Sequence, residues 1–477
     1  MKKFIPASIA LALAVPLSAM AQNPKSNLTE IQSLRQEVES MRATYEARLK
    51  TLEQRLLAAE SVTDTAAALQ ATTAAPTPVT AAASSAASAA SAGSAPVVSS
   101  AGSANAFNPA MSLILSGGYN RTSRDPATYH ITGFQLPQGS EAGPGTRGFS
   151  LAESELGLTA NIDPWLRGVA NIALHPDNTA SVEEAFVQTT SLGNGLSVKA
   201  GRFLSSVGYL NSKHAHTWDF VDNPLAYQAL LGTQLGDDGV QLRWLAPTDL
   251  FIELGAELGR GRSFPGSDTG RNGAGMTALT AHTGGDIGLS HSWRAGLSML
   301  NAKAADQALT AVDAMDNRVG NAFTGSTRVW VVDGVWKWAP NGNAIQTNFK
   351  LQGEYLRSTR TGSLSYDVSG ANITDAYRAV QSGWYVQGVY QFMPRWRVGL
   401  RTERLNPGTP DYGINAASFV NSAYQPRKNS VMLDFSPSEF SRFRLQFAQD
   451  RSRQGLTDNQ VFLQYQMSLG AHGAHRY

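Results

Sequence analysis

The chain has no cysteine. A disulfide framework, a thiolate metal site and a cysteine nucleophile are therefore excluded. Beyond its first residues it also lacks the run of about 18 apolar residues that a transmembrane helix requires. Charge is sparse and balanced, with 39 Lys and Arg against 37 Asp and Glu. Lys2 and Lys3 belong to a leader, and without them the two signs are equal. No basic excess marks a nucleic-acid surface and no charge block marks a tail. Catalytic signatures are missing as well. There is no G-x-S-x-G elbow, no H-E-x-x-H, no phosphate-binding GK[ST] loop and no dinucleotide fingerprint after a strand. Gly-rich GRNGAG at 270–275 lies between strands and cradles nothing identifiable. The reading is therefore non-enzymatic, with no cofactor.

What is present begins with MKKFIPASIALALAVPLSAMA. A basic n-region, an apolar stretch too short to span a bilayer and Ala19-Met20-Ala21 form a secretory signal over 1–21. Residues 22–60 are expected to hold a coiled coil. Ile31, Leu34, Val38, Met41 and Tyr45 recur at alternating spacings of three and four, the seam of such a helix. After Tyr45 the apolar stripe slips to Leu49, Leu52 and Leu56, which reads as a stutter. Residues 61–106 are almost wholly Ala, Ser, Thr, Pro and Gly, with Asp64 the one charged residue. Such a segment cannot bury enough surface to order itself and reads as a linker.

From 107 to 477 the texture is short alternating segments. Tight connections carry Pro, Gly, Asn, Asp or Ser: Ile162–Trp165, Leu192–Gly195, Ala246–Asp249, Ser290–Ser292, Ala339–Gly342, Met393–Arg395 and Ser436–Ser438. They alternate with eight mostly long polar connections, among them Ser205–Gly236, Lys303–Gly325, Thr359–Ala379 and Asn406–Arg427. Fifteen connections imply sixteen strands, an even number sorted into short turns at one end and longer loops at the other. The last strand is clearest. Val461, Leu463, Tyr465, Met467 and Leu469 share one face, and Gln460, Gln464, Gln466 and Ser468 the other.

These features resemble Gram-negative outer-membrane barrels, whose last strand ends in an aromatic residue, here Tyr477. The layout as a whole resembles trimeric sixteen-strand porins of the dicarboxylate and phosphate type, in which a periplasmic coiled coil precedes the barrel. The resemblance implies an all-β transmembrane barrel of about sixteen antiparallel strands and an outer-membrane location. It further implies a homotrimer and passive diffusion of small polar solutes. A plug-bearing receptor of 22 strands does not fit, because the region before the barrel has no material for a plug.

Strand parity then assigns surfaces. Lipid-facing sets are Ile252, Leu254, Ala256 and Leu258; Phe349, Leu351 and Tyr355; Trp384, Val386 and Tyr390; Phe443, Leu445 and Phe447. The lumen is expected to have an acidic wall of Glu153, Glu155, Glu253 and Glu257. An arginine wall of Arg395, Arg397, Arg401, Arg442 and Arg444 would face it and set a transverse field across water. Scarce lysine and the interrupting Glu403 argue against exclusive anion selectivity. Loop 205–236 is too apolar for solvent and is the third of these eight connections in order, and the third loop narrows the pore in the porins it resembles. Its constriction candidates are Lys213, Trp218, Asp219 and Asp222. His214 and His216, with those two aspartates, are the one metal-like ligand set. Two other readings stay open: a surface-binding or tethering barrel and a metal-scavenging receptor.

Overall fold

The computed structural model describes residues 109–152, 154–268, 272–419 and 422–470. The expected signal, coiled coil and linker lie outside the described residues.

Within 109–470 the chain runs through sixteen long antiparallel strands. The first eight are β1 (Ala110–Thr122), β2 (Gly148–Leu151 and Ser154–Asn161), β3 (Leu166–Leu174), β4 (Ala180–Thr189), β5 (Leu196–Leu204), β6 (Gly236–Leu245), β7 (Phe251–Gly259) and β8 (Met276–Ile287). The second eight are β9 (His291–Val312), β10 (Arg318–Trp338), β11 (Asn348–Tyr366), β12 (Ile373–Met393), β13 (Trp396–Asn406), β14 (Arg427–Ser438), β15 (Ser441–Arg451) and β16 (Asp458–Gly470). Each strand pairs with its sequence neighbours, and β16 pairs back onto β1 from Ser112↔Gly470 to Thr122↔Gln460. The sheet is closed, so no long strand leaves an edge unpaired.

Alternation explains the closure. Along β16, Leu463 and Leu469 are each 49% exposed on the outer surface, while Gln460, Gln466 and Ser468 are buried inside. The same parity repeats around the ring. Leu254, Leu258, Leu351, Tyr355, Val386, Tyr390, Phe443 and Phe447 all lie outward and exposed, as the alternation predicts. Apolar side chains outside and polar ones inside invert the soluble-protein pattern and suit a lipid exterior.

Two connections differ from expectation. Segments 303–325 and 359–379 are mostly strand, leaving turns of only a few residues after Val312 and Tyr366. Their inward residues Ala304, Leu309, Phe323, Leu364, Tyr377 and Ala379 form a core with Tyr412 and Phe419. Outward residues there are polar, among them Thr359, Thr361 and Ser363. Backbone pairing thus continues past the apolar band while the hydropathy contrast that marks a band-crossing strand fades.

Candidate functional site

The loop between β5 and β6 folds inward and crosses the bore. Glu257 of β7 receives it first, accepting from Ser205 Oγ at 2.6 Å and from the Ser206 amide at 2.8 Å. Asn211 then ties the two ends together, donating to the carbonyls of Ser205 and Leu235 and accepting from the Leu235 amide, each at 2.8 Å. Glu354 of β11 accepts from the amides of Tyr209 and Leu210 at 3.0 Å and from the hydroxyls of Tyr227 and Tyr385 at 2.8 and 2.5 Å. Pro224 opens a short helix, α1 (Leu225–Leu230), whose first amide donates to Glu403. Every residue of α1 is buried. The loop's apolar content is thereby accounted for: Val207, Leu225, Leu230 and Leu235 pack with inward Leu300, Val329, Val331, Leu356 and Leu405 in one core. The β1–β2 loop lies over it, placing Tyr129, Ile131, Phe134 and Leu136 in the same core and donating from Tyr129 Oη to Gln228.

The loop's polar residues sort by sign. On one flank His214 Nδ1 lies 2.9 Å from Glu183 and 3.3 Å from Glu155, and its Nε2 lies 3.0 Å from Glu184. His216 Nδ1 is 3.0 Å from Glu155, and the two imidazoles stack with centroids 5.6 Å apart. Burial disfavours a charge on His214, but its three carboxylate partners outweigh burial and raise its pKa well above the usual histidine value.

On the other flank the loop carries acids. Asp219 lies 2.5 Å from Lys350 and 3.4 Å from Arg397. Asp222 lies 2.7 Å from Arg401, pairs with Lys428 and accepts from Gln446 at 2.9 Å. Burial opposes ionisation of Asp219, yet Lys350 and Arg397 bring its pKa down to about 2. Lys428 and Arg401 likewise overcome burial at Asp222 and hold its pKa well below the usual range. Arg442 and Arg444 donate to the loop carbonyls of His216 and Trp218 at 2.8 and 2.7 Å. The Trp218 indole donates back to Lys213 O at 2.8 Å, closing this segment into a compact unit.

These positions revise the sequence reading in several respects. Glu155, Glu253, Glu257, Arg397, Arg401, Arg442 and Arg444 lie on inward positions of their strands. Glu153 lies outside the described residues. Arg395 is not on a wall: it is the exposed second residue of the β12–β13 turn, at φ 72°. Strand parity stops where the backbone leaves the extended region, so counting through a turn misplaces a side chain. The expected ligand set is also regrouped, because Asp219 and Asp222 point to the cations and Glu155, Glu183 and Glu184 surround the histidines.

Glu183, Glu184, Glu354 and Lys428 went unassigned by sequence. Parity alone could have found Glu354, which shares a face with Lys350. Glu183 and Glu184 could not be placed that way. The β3–β4 register shifts between Asn171 and Ile172, and this bulge lets adjacent glutamates both reach His214.

A further set was missed. Near the tight-turn end, Arg167, Lys199, Arg243, Arg294, Lys337 and Lys350 occupy inward positions on β3, β5, β6, β9, β10 and β11. Loop residue Lys213 joins them, its pKa lowered by burial and by Arg294 and Lys350 nearby. Inward carboxylates on the same end include Glu253, 3.6 Å from Arg243, and Asp434, paired with Arg397. Cations therefore outnumber acids at this end.

No protein-family model matches the chain. Among solved structures it is similar to the trimer form of OmpT, an outer membrane protein of Vibrio cholerae (11% identity, 76% of this chain, 99% of that chain, TM-score 0.46). It is similar, too, to an anion-selective porin from Comamonas acidovorans (12%, 76%, 99%, TM-score 0.46). A third is the outer membrane channel DcaP of Acinetobacter baumannii (12%, 76%, 97%, TM-score 0.43). A sequence relative, an uncharacterized protein of Aquifex aeolicus (strain VF5), is 33% identical over 398 residues, covering 79% of this chain and 81% of that one. The chain belongs to one family with this Aquifex aeolicus protein, and its fold is a closed barrel of sixteen antiparallel strands.

Proposed function

We propose that the protein is an outer-membrane channel for passive diffusion of small hydrophilic solutes, narrowed by the 205–235 loop and favouring anions. The cationic excess of the inward side chains at the tight-turn end carries the preference: Arg167, Lys199, Arg243, Arg294, Lys337 and Lys350 would attract anions where the bore meets the periplasm. Glu155, Arg397 and Arg401 act through the loop, meeting His214, Asp219 and Asp222 there. In this reading residues 1–21 are a signal, 22–60 a periplasmic coiled coil that assembles a homotrimer, 61–106 a spacer and 107–477 the barrel. The test is a planar bilayer. Stepwise conductance with an anion-side reversal potential is expected, and a Lys199→Glu, Lys337→Glu variant should move that potential toward cations. Absence of steps would end the channel reading in favour of a tethering barrel, and an unmoved potential would end the anion preference.

One observation favours a second reading. The donor atoms of Glu155, Glu183 and His214 converge within 4.8 Å of one another. Bonds of about 2.0–2.2 Å in a tetrahedral site imply donor separations of roughly 3.4 Å, near the 2.9 and 3.3 Å found here. A Zn²⁺-type ion could take the place of the imidazolium proton and hold the loop to β2 and β4. Calorimetric titration of the purified barrel with Zn²⁺ would show one site per chain, lost in a His214→Ala, His216→Ala variant. No heat of binding would remove the metal reading.

A further inference from the structure

Outward basic side chains recur on one side of the barrel just beyond the apolar band. Lys303, Arg328 and Arg357 stand on β9, β10 and β11, and Arg404, Arg427 and Arg451 on β13, β14 and β15. The last three are direct cross-strand neighbours, Arg404↔Arg427 and Arg427↔Arg451. Like charges set opposite one another destabilise a sheet unless something neutralises them. No carboxylate among the described residues forms an ion pair with any of the six. Arg451 Nε is buried without a hydrogen-bond partner among the described residues.

The opposite side of the barrel supplies an internal control. There the outward arginines are matched with acids: Arg202 lies 2.7 Å and Arg262 3.4 Å from Asp238, and Arg260 lies 2.7 Å from Asp268. The lack of carboxylate partners for these six side chains is therefore a local property of that face.

The face also has a seat. A cleft of ≈ 730 Å³ on the outer surface is lined by Lys303, Arg328 and Arg357, by Thr277, Asn301, Thr359 and Thr361, and by no carboxylate. Its floor is Trp330, 42% exposed and directly opposite Arg357 on the neighbouring strand. Arg328 Nε donates to Asn301 Oδ1 at 2.9 Å, which holds its guanidinium over the cleft's edge. Below Trp330 the outward residues turn apolar, with Val332 52% exposed. An aromatic at the boundary, cations above it and aliphatics below match an amphiphile with an anionic head and acyl tails.

We infer that this face binds the phosphorylated headgroups of outer-leaflet lipid, with phosphate on the guanidinium and ammonium groups and acyl chains along the apolar strands below. Guanidinium forks suit phosphate oxygens bidentately, and bound phosphates supply the counter-charge that the Arg404–Arg427–Arg451 row lacks. The inference rests on the outer-membrane placement proposed above, with the long loops outside.

The experiment uses the full chain, incubated with diphosphoryl lipid A in phosphatidylcholine vesicles, extracted into mild detergent and assayed for retained lipid A per barrel. Retention is expected for the natural chain. Removing charge at Arg328 and Arg357, or at Arg404, Arg427 and Arg451, by Gln substitution should weaken it about fivefold per side chain. An Arg260→Gln variant, which alters a matched pair, should retain lipid normally. Equal retention of dephosphorylated lipid A, or undiminished retention by the Gln variants, would overturn the inference. Displacement by inorganic phosphate as readily as by lipid A would overturn it too, by making the face a free-anion site. Bilayer conductance of the same variants separates the two readings: a barrel that retains lipid and passes no current sinks the channel alone.

Discussion

His214 and Asp219 sit five positions apart on one loop and titrate in opposite senses. Asp219 has its pKa brought down to about 2, so its pairing with Lys350 and Arg397 stabilises the folded loop above the unfolded carboxylate pKa of about 3.9. That contribution is lost as pH falls toward about 2. His214 has its pKa raised well above the histidine norm, so its contribution is complete below about 6.5 and is lost as pH rises through its raised value. The loop is consequently clamped on both flanks in mildly acidic to neutral solution and loosens first on the histidine side in alkali. Single-channel recordings should show quiet current near pH 6 and growing noise on the alkaline side. A His214→Gln variant should be noisy already at pH 6, with no further alkaline increase. Residue types in this pair were legible in the sequence, their partners were not. His214 finds glutamates from two other strands, and no spacing within 205–236 encodes that.

At the scale of the element, the 205–235 loop combines an apolar α1 with a polar approach segment, and both halves demand a particular wall. Gly208 shows how closely it is fitted. Its φ is 73°, and a Cβ there would lie 2.3 Å from Glu354 Oε2 and 2.9 Å from the Tyr227 hydroxyl, so only glycine passes this point. Replacing 208–233 by a short Gly-Ser turn is expected to raise single-channel conductance several-fold, because the segment that occupies the bore is gone. Unchanged conductance would show that current bypasses the loop. Gly208→Ala should act in the same direction more weakly, through a cost of about 1–2 kcal/mol for the left-handed backbone. The loop's bounds were legible because its hydrophobicity contradicts its place between turns. The strands β9–β12 were read too short for the complementary reason: their outer thirds pair like membrane strands but carry Thr, Ser and Arg outward.

At the scale of the molecule, all sixteen strands lie within 110–470, and β16 closes on β1 through eleven paired positions from Ser112 to Thr122. Closure thus needs nothing from the residues before it. A chain lacking 22–60 is expected to fold and conduct with the same unitary current. The homotrimer proposed above should then come apart at lower detergent or heat stress than with the full chain, as read by native gel mobility. Equal oligomer stability would show that the barrel wall, and not the coiled coil, holds the subunits together. Barrel and coil are separable expectations because a closed sheet satisfies its own backbone, whereas one amphipathic helix cannot bury its stripe alone.

Strand number, the order of the connections, and the assignment of most outward and inward faces were determined by the sequence itself. A period-2 pattern is local, and reading it requires only adjacent residues. Where a bulge at Glu183 or a turn at Arg395 interrupts that period, local reading fails at once. What fills the bore was decided by tertiary structure alone. Inward Glu155 and Arg401 each meet a polar side chain of the loop, His216 with Glu155 and Asp222 with Arg401. Those partners lie 61 and 179 positions apart along the chain, and only the closed ring brings them within hydrogen-bond range.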